Sequence, residues 1–322
     1  MQEVEKKFKK LNELLEGRVK RDVPIAPFTT FKIGGPATMF FEALTNEDLV
    51  KSITFARKFK IPFYLLSGGS NVLVNDKGVD KLVIKISTSD LIIKENYIVA
   101  DGGVPLASLV NASIENGLQG LVWASGIPGN VSGAVRGNAG AYGGEMKDSI
   151  HSIEVMRGSK QFVIEREHLT FGYRDSQFKH NNDIILAVKF EFAEKGKVDV
   201  MRVESEKIIA ERKEKHPEAP CAGSFFKNIL ITEDNEEIFK KLGIPEKSWG
   251  YKKVPSGWLL DQVDMRGKSI GGAKVSDKHA NIIVNTGDAT ADDVLQLVSL
   301  MKTKVRDELG IQIEEEVQLV GF

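Results

Sequence analysis

Three groups in this chain have the side-chain types and settings of reaction chemistry. Ser224 lies in CAGSFFKN (221–228), between small residues and paired phenylalanines, with a lysine three positions on. Such a hydroxyl is either a turn serine bonded to its own backbone or one held for proton transfer. Arg174 lies in FGYRDSQFK (171–179). Its guanidinium either makes a surface ion pair or grips a carboxylate through both forks. The run Glu314–Glu316 sits in a terminal stretch that reads as a strand. There Glu314 and Glu316 share one face while Glu315 points the other way. The acids either blunt a solvated edge or aim one glutamate into a site.

A second chemistry comes from glycine. SGGSN (67–71) follows a strand-like IPFYLL, and SGIPGNVSGAVRGNAGAYGGE (125–145) is a longer loop that contains one cation, Arg136. Between Gly102 and Gly144 there are 11 glycines in 43 residues, against 30 in all 322, so the density is raised. That many glycines imply backbone approaching something closely, because no Cβ stands in the way. Converging backbone N–H groups of such loops bind phosphate oxygens. Two loops from opposite sides could hold a diphosphate, which favours a nucleotide-type cofactor. The chain has neither GxxxxGK[ST] nor GxGxxG, so a P-loop and a Rossmann site are disfavoured. It has no GxSxG, which disfavours a serine hydrolase.

The elements that must position these groups follow from periodicity. Val4, Phe8, Leu11 and Leu15 recur at helical spacing in a charged N-terminus, which reads as an amphipathic helix and not a signal peptide. Thr45 with Asp48 opens a second helix by a capping box. Strands are expected at IPFYLL, VLV, 81–86 and 97–103. Pro105 opens a helix that Gly117 can cap. Alternation returns at 151–157, 161–165 and 183–192. The charged helix VDVMRVESEKIIAERKEKH, ended by Pro217, and KHPEAPC after it form the candidate domain boundary. Beyond lie a helix at SGWLLDQVD, a strand at 282–285, a helix from Thr290 with Asp293 as its box partner, and a closing strand, IQIEEEVQLVGF. The interleaving of both element types makes the fold class α+β.

Composition narrows the function classes. Hydrophobic content of 42% and charged content of 28% are ordinary for a globular protein. The net charge of −1, without a basic cluster, points away from nucleic acid. No run approaches the roughly 18 apolar residues of a membrane span, so no membrane insertion is expected. One cysteine, Cys221, excludes an internal disulfide and fits a reducing, cytoplasmic setting. With no histidine near it in sequence, it reads as a small packing residue. Five scattered histidines include no HxxxH or HxH pair, so no metal site is expected.

Taken as a set, GGSN (68–71), GIPGNVSGAVRGNAGAYGGE (126–145), GYRDSQFK (172–179), AGSFFKN (222–228), GGAKVSDKHANIIVN (271–285) and EEEV (314–317) resemble the UDP-N-acetylenolpyruvoylglucosamine reductase family. The motifs stand in the family's order from about Phe28 to the end. The short segment between Phe178 and Ile184 resembles the family's second type, which lacks an inserted substrate-covering loop. The resemblance implies an FAD-binding fold of the vanillyl-alcohol-oxidase kind. Residues 1–90 with 310–322 would form one flavin lobe, 91–215 a second, and 216–309 a substrate-binding domain.

The same resemblance implies non-covalent FAD, NADPH as co-substrate and a UDP-sugar as substrate, in a monomer that serves peptidoglycan precursor synthesis. It implies that Ser224 is the proton donor, that Arg174 grips the substrate carboxylate and that Glu316 polarises it. Lys215 or Lys227 would support the serine, with Lys215 favoured on motif position, and Tyr173 and Asn228 would touch substrate. For the cofactor it implies Gly68, Gly69, Ser70 and Asn71 as the first diphosphate loop. Gly126, Ile127, Pro128 and Gly129 would run along the flavin, and Asn138, Ala139, Gly140 and Ala141 would complete the second wall, with Arg136 a flavin contact or an outward ion pair. Two positions depart from the family pattern. Glu315 and Ile229 stand where proline is usual, and the first leaves open which glutamate points inward, since a one-residue slip exchanges Glu315 for Glu316. The rivals are an alcohol oxidase on the same flavin fold, which calls for a covalent flavin attachment or a strong base, and a flavin or nucleotide-sugar binder without turnover.

Overall fold

The computed structural model describes residues 2–322, with side chains from Glu5 onward. The chain divides into two compact units. One runs up to Val23 and includes Ala37–Gly69 and Val79–Arg212; the other comprises Pro24–Pro36, Ser70–Gly78 and Lys213–Phe322.

In the first unit, the helix Gln2–Leu14 and the residue that follows it bury Leu11 and Leu15, as the apolar spacing requires; Val4 lies outside the described side chains. The helix Asn46–Lys58 starts where the sequence predicts, with the Thr45 hydroxyl accepting the Asp48 N–H at 3.1 Å. It packs near parallel strands in which Phe63–Leu66 and Pro36–Ala43 flank Val79–Ile86. A five-stranded antiparallel sheet follows in the order Lys160–Glu165, Ile150–Arg157, Ile184–Glu191, Tyr97–Asp101, Leu91–Ile93. Alternate residues of its centre serve different cores. Ile153, Val155 and Ile185 join the cluster under the helix Leu106–Glu115, whereas Met156, Ile184 and Leu186 join the cluster built on Leu49, Ile53 and Leu82.

The second unit has one core, which takes in Phe31, Leu73, Phe225, Phe226, Leu297 and Val317. Its four-stranded sheet runs Cys221–Ser224, Ile282–Asn285, Ala273–Val275, Ser269–Ile270. The helix Ala291–Leu309 has a complete capping box, Thr290 with Asp293, and ends at Gly310 with φ +69°. The short strand Gln318–Val320 pairs in parallel with Val72–Val74. Parallel and antiparallel sheets with separate helices make the fold α+β. Among the described residues no helix is long and apolar enough to cross a membrane, and no cluster of three or more His, Cys, Asp or Glu could hold a metal.

Two details differ from the sequence pattern. The closing strand covers only Gln318–Val320; residues before it are held by a bridge between Phe226 and Glu315. Segment 310–322 buries Ile311, Ile313 and Val317 in the same core as Phe225 and Phe226, while its strand pairs with Val72–Val74. The long glycine loop contains a helix, Val131–Arg136, because Val131 and Val135 are fully buried and tertiary packing outweighs the propensity of Gly133.

Thr290→Ala removes one half of the box and should cost the second unit about 1 kcal/mol. The loss is read from urea unfolding followed by the fluorescence of Trp249 and Trp258. Backbone hydrogen bonding holds the Asp293 carboxyl below its usual range. Its contribution is therefore present at neutral pH and lost as pH falls through the folded value. Asp293→Asn should flatten that part of the acid limb, and an unchanged limb would contradict the assignment.

Candidate functional site

The two glycine loops of the first unit meet. A Cβ built on Gly68 would lie 2.5 Å from the Gly129 Cα and 2.8 Å from the Asn130 nitrogen, so only glycine allows this approach. Beside it the Ser67 and Ser132 hydroxyls are 2.9 Å apart. The second loop is tied down from behind: Leu106 N–H donates to Gly129 O at 2.9 Å, and Val131 N–H to Val104 O at 2.9 Å. Gly69, Gly126 and Gly129 have φ of +63°, +74° and +121°, angles that favour glycine. Ile127 packs on the edge of the core, and Pro128 is exposed. Some of the glycine density has a different purpose. Gly103 lies against the Thr88 backbone and Gly144 against the Trp123 ring, both closer than a Cβ permits.

Two guanidiniums border these loops. Arg136, the last residue of the helix Val131–Arg136, interacts electrostatically with the Tyr64 phenol and Asp175, and Arg212 with the Tyr142 phenol. Burial pushes both below the usual arginine range, and desolvation pushes the Tyr64 phenol up to about 12. Arg212 Nε donates to Gly126 O at 3.2 Å. Sequence reasoning missed Arg212, since nothing separates it from the other charges of the helix Val198–Lys215.

Asn138 is fully buried, with φ +42°, and its amide is used by the protein. It donates to Gly172 O at 2.9 Å and Glu145 Oε2 at 3.1 Å, and accepts from Lys147 N–H at 3.1 Å. Its side chain is thus a clasp behind the wall. Ala139 accepts from Met146 N–H, and Gly140–Ala141 pair with Gly144–Glu145. Tyr173 and Arg174 form the two-residue turn between Phe171–Gly172 and Asp175–Ser176. Arg174 has φ +53°, its guanidinium lies 5.3 Å from the Tyr173 ring centroid, and its Nη2 donates to Gly140 O at 2.6 Å. One arm of the fork is thus on the glycine wall.

The remaining candidates belong to the second unit. Cys221–Ser224 pairs with Ile282–Asn285 through a one-residue irregularity between Cys221 and Ser224. Gly223, at φ +77°, supplies the angle that the bulge needs. The Ser224 hydroxyl is half-buried and, among the described residues, has no hydrogen-bond partner, so a turn satisfied by its own backbone does not describe it. The chain then runs antiparallel to the terminal segment. Glu316 N–H donates to Phe225 O at 2.8 Å, and Lys227 N–H to Glu314 O at 2.9 Å. Of the three glutamates, Glu314 faces Lys227 Nζ at 3.4 Å and Glu315 receives Lys302 Nζ at 2.8 Å. Asn71 donates from its amide to the Glu316 carbonyl at 3.1 Å. Asn228 Oδ1 accepts the Ser256 N–H at 3.2 Å, and the Ser256 hydroxyl donates to Lys227 O. Lys215 ends the helix Val198–Lys215 and is exposed. Burial raises the Cys221 thiol, in keeping with a packing residue. Gly68, Gly69, Gly126–Gly129, Arg136, Asn138–Ala141, Tyr173 and Arg174 therefore lie in the first unit; Ser70, Asn71, Lys215, Ser224, Lys227, Asn228 and Glu316 lie in the second.

Comparison with known proteins bears on both. Residues 37–161 match the family model described as an FAD binding domain, and residues 215–320 match the C-terminal domain of UDP-N-acetylenolpyruvoylglucosamine reductase. The chain is 35% identical to the UDP-N-acetylenolpyruvoylglucosamine reductase of Caldanaerobacter subterraneus over 97% of each chain. It is 35% identical to that of Solibacter usitatus over 94% of this chain and 97% of the other. The crystal structure of the Thermus caldophilus reductase superposes with a TM-score of 0.74 at 31% identity, covering 94% of this chain and 99% of that one. The first unit fits a flavin dinucleotide: two desolvated guanidiniums beside closely approaching glycine loops are a donor set for a diphosphate.

Gly68→Ala must displace the Gly129 backbone, so the purified variant should carry clearly less flavin than the parent, read from its visible absorbance. Gly133→Ala is the control. Its Cβ would sit 3.5 Å from the Ser67 hydroxyl, an ordinary contact, and flavin content should be unchanged.

Proposed function

This chain belongs to the UDP-N-acetylenolpyruvoylglucosamine reductase family, and we propose that it reduces the enolpyruvyl group of UDP-N-acetylglucosamine enolpyruvate to give UDP-N-acetylmuramate for peptidoglycan, with NADPH as reductant. The observation that carries this reading is the pairing of 225–227 with 314–316, which sets Ser224 one residue from the strand partner of Glu316.

When bound, FAD would supply the redox chemistry that carries hydride from NADPH to C3 of the substrate. The chain's own residues have two tasks. Hydride addition at C3 builds negative charge that spreads from C2 into the adjacent carboxylate, and that charge must be stabilised where it develops. C2 must then receive a proton on one face. Arg174 is assigned to the carboxylate, and its cradle on Gly140 O and the Tyr173 ring orients it in advance. Glu316 shares a proton or hydrogen bond with the same carboxylate. The Ser224 hydroxyl gives its proton to C2. A serine is a weak acid, but the carbanion-like C2 is a strong base, and the alkoxide left behind needs a cation or donor. Lys215 takes that role on motif position, with Lys227 the alternative. Tyr173 and Asn228 contact the substrate. Gly68, Gly69, Ser70, Gly126–Gly129, Ala139–Ala141, Arg136 and Arg212 hold the cofactor.

The purified protein should be yellow, bleach with NADPH and recover its flavin absorbance on addition of the enolpyruvyl sugar nucleotide. Bleaching without recovery would leave the flavin assignment standing and remove the substrate. Ser224→Ala should slow recovery by about 10²–10⁴-fold, the usual worth of a positioned proton donor, with bleaching unaltered. Equal slowing of both halves would contradict the role given to Ser224.

A further inference from the structure

Asn71 stands in the loop GGSN (68–71), whose composition and place suit a phosphate cradle. Its side chain is engaged elsewhere. The amide nitrogen donates to the Glu316 carbonyl at 3.1 Å, and the Asn71 carbonyl accepts the Gln318 N–H at 3.1 Å. Glu316 is thereby held on both sides of its backbone: its N–H goes to Phe225 O at 2.8 Å and its carbonyl to Asn71. The strand Val72–Val74, which follows Asn71 directly, continues the grip by pairing with Gln318–Val320.

Three adjacent glutamates make this grip consequential. In an extended segment a slip of one residue turns every side chain to the other face, and Glu314, Glu315 and Glu316 would exchange places without any change in charge. Glu314 and Glu315 have lysine neighbours of their own, Lys227 and Lys302. Surface ion pairs of this kind are worth little and do not define a register. A side-chain amide aimed at one particular carbonyl does.

We propose that Asn71 is a positioning residue, which locks the register of the terminal segment so that Glu316, and neither neighbour, is presented for catalysis. This rests on the assignment of Glu316 made above. It gives the side chain of Asn71 a task in the sugar-nucleotide half of the reaction, distinct from holding the cofactor diphosphate.

The test compares Asn71→Ala, Glu316→Gln and the double variant in the flavin-containing protein. Reduction by NADPH, reoxidation by the enolpyruvyl sugar nucleotide and flavin content are measured separately, together with hydrogen exchange of a peptide spanning 314–318. Asn71→Ala should speed exchange in that peptide and slow reoxidation by about 10–100-fold, the usual cost of removing a group that orients a functional ligand. Flavin content and the reduction rate should not change. In the Glu316→Gln background the same substitution should slow reoxidation no further. Multiplicative losses in the double variant, equal slowing of both half-reactions, or loss of flavin would each overturn the proposal. So would faster exchange with reoxidation at the parental rate. A Glu316→Gln variant that reoxidises normally would instead sink the underlying assignment of Glu316, a result distinct from Glu316→Gln being slow while Asn71→Ala is not.

Discussion

The second unit's candidate site depends on a short backbone ladder. Lys227 N–H to Glu314 O at 2.9 Å and Glu316 N–H to Phe225 O at 2.8 Å join segments 87 residues apart at the Lys227–Glu314 pair. Two hydrogen bonds of about 1 kcal/mol each do not offset closure of such a long loop. The core beneath does. Phe225 and Phe226 are buried, and Val317 lies in the same cluster. Asn281, also buried, accepts the Phe226 N–H at 2.9 Å, donates to its carbonyl at 2.8 Å and takes the Phe225 N–H on its own carbonyl at 2.7 Å. His279 Nδ1 accepts the Asn281 N–H at 3.2 Å. A polar cluster satisfied to this extent can be buried without penalty and rigidifies what it touches.

Glycine serves the two units in different ways. At Gly68 the constraint is space, because a Cβ would strike another backbone. At Gly223 there is open space around the Cβ position, and the constraint is φ, +77°. The first lets two loops converge. The second lets a strand bulge, so that the next residue, Ser224, leaves the regular alternation. Arg174 is the counterpart without glycine: a bulky residue kept at φ +53° by a two-residue turn and by its bond to Gly140. Such conformations cost free energy and persist where the surroundings over-determine them. The Glu315 position illustrates tolerance. Its carboxylate takes Lys302 Nζ at 2.8 Å.

Much of the local structure was legible because it is encoded by neighbours in sequence. Thr45 with Asp48, Thr290 with Asp293, Pro105 and Gly310 mark helix ends by chemistry that acts within a few residues. The alternation in 151–157 and 183–192 gave strands with the expected extents. Less was legible where the partner is remote. The helix Val131–Arg136 forms in a stretch that reads as a loop, the closing strand shortens, and Arg212 joins the glycine loops from a helix whose other charges look the same.

The sequence by itself determined the class of the fold, the ends of its longer helices, and the motif set that marks the family, since each of these depends on residue types at short, readable spacings. It did not determine that the amide of Asn71 turns to the terminal segment, nor that 314–316 pair with 225–227. Those were decided by tertiary hydrogen bonds between residues remote in sequence, 245 positions apart for Asn71 and Glu316 and 87 for Lys227 and Glu314. No local pattern records such a pairing, because its energy exists only after the chain has closed.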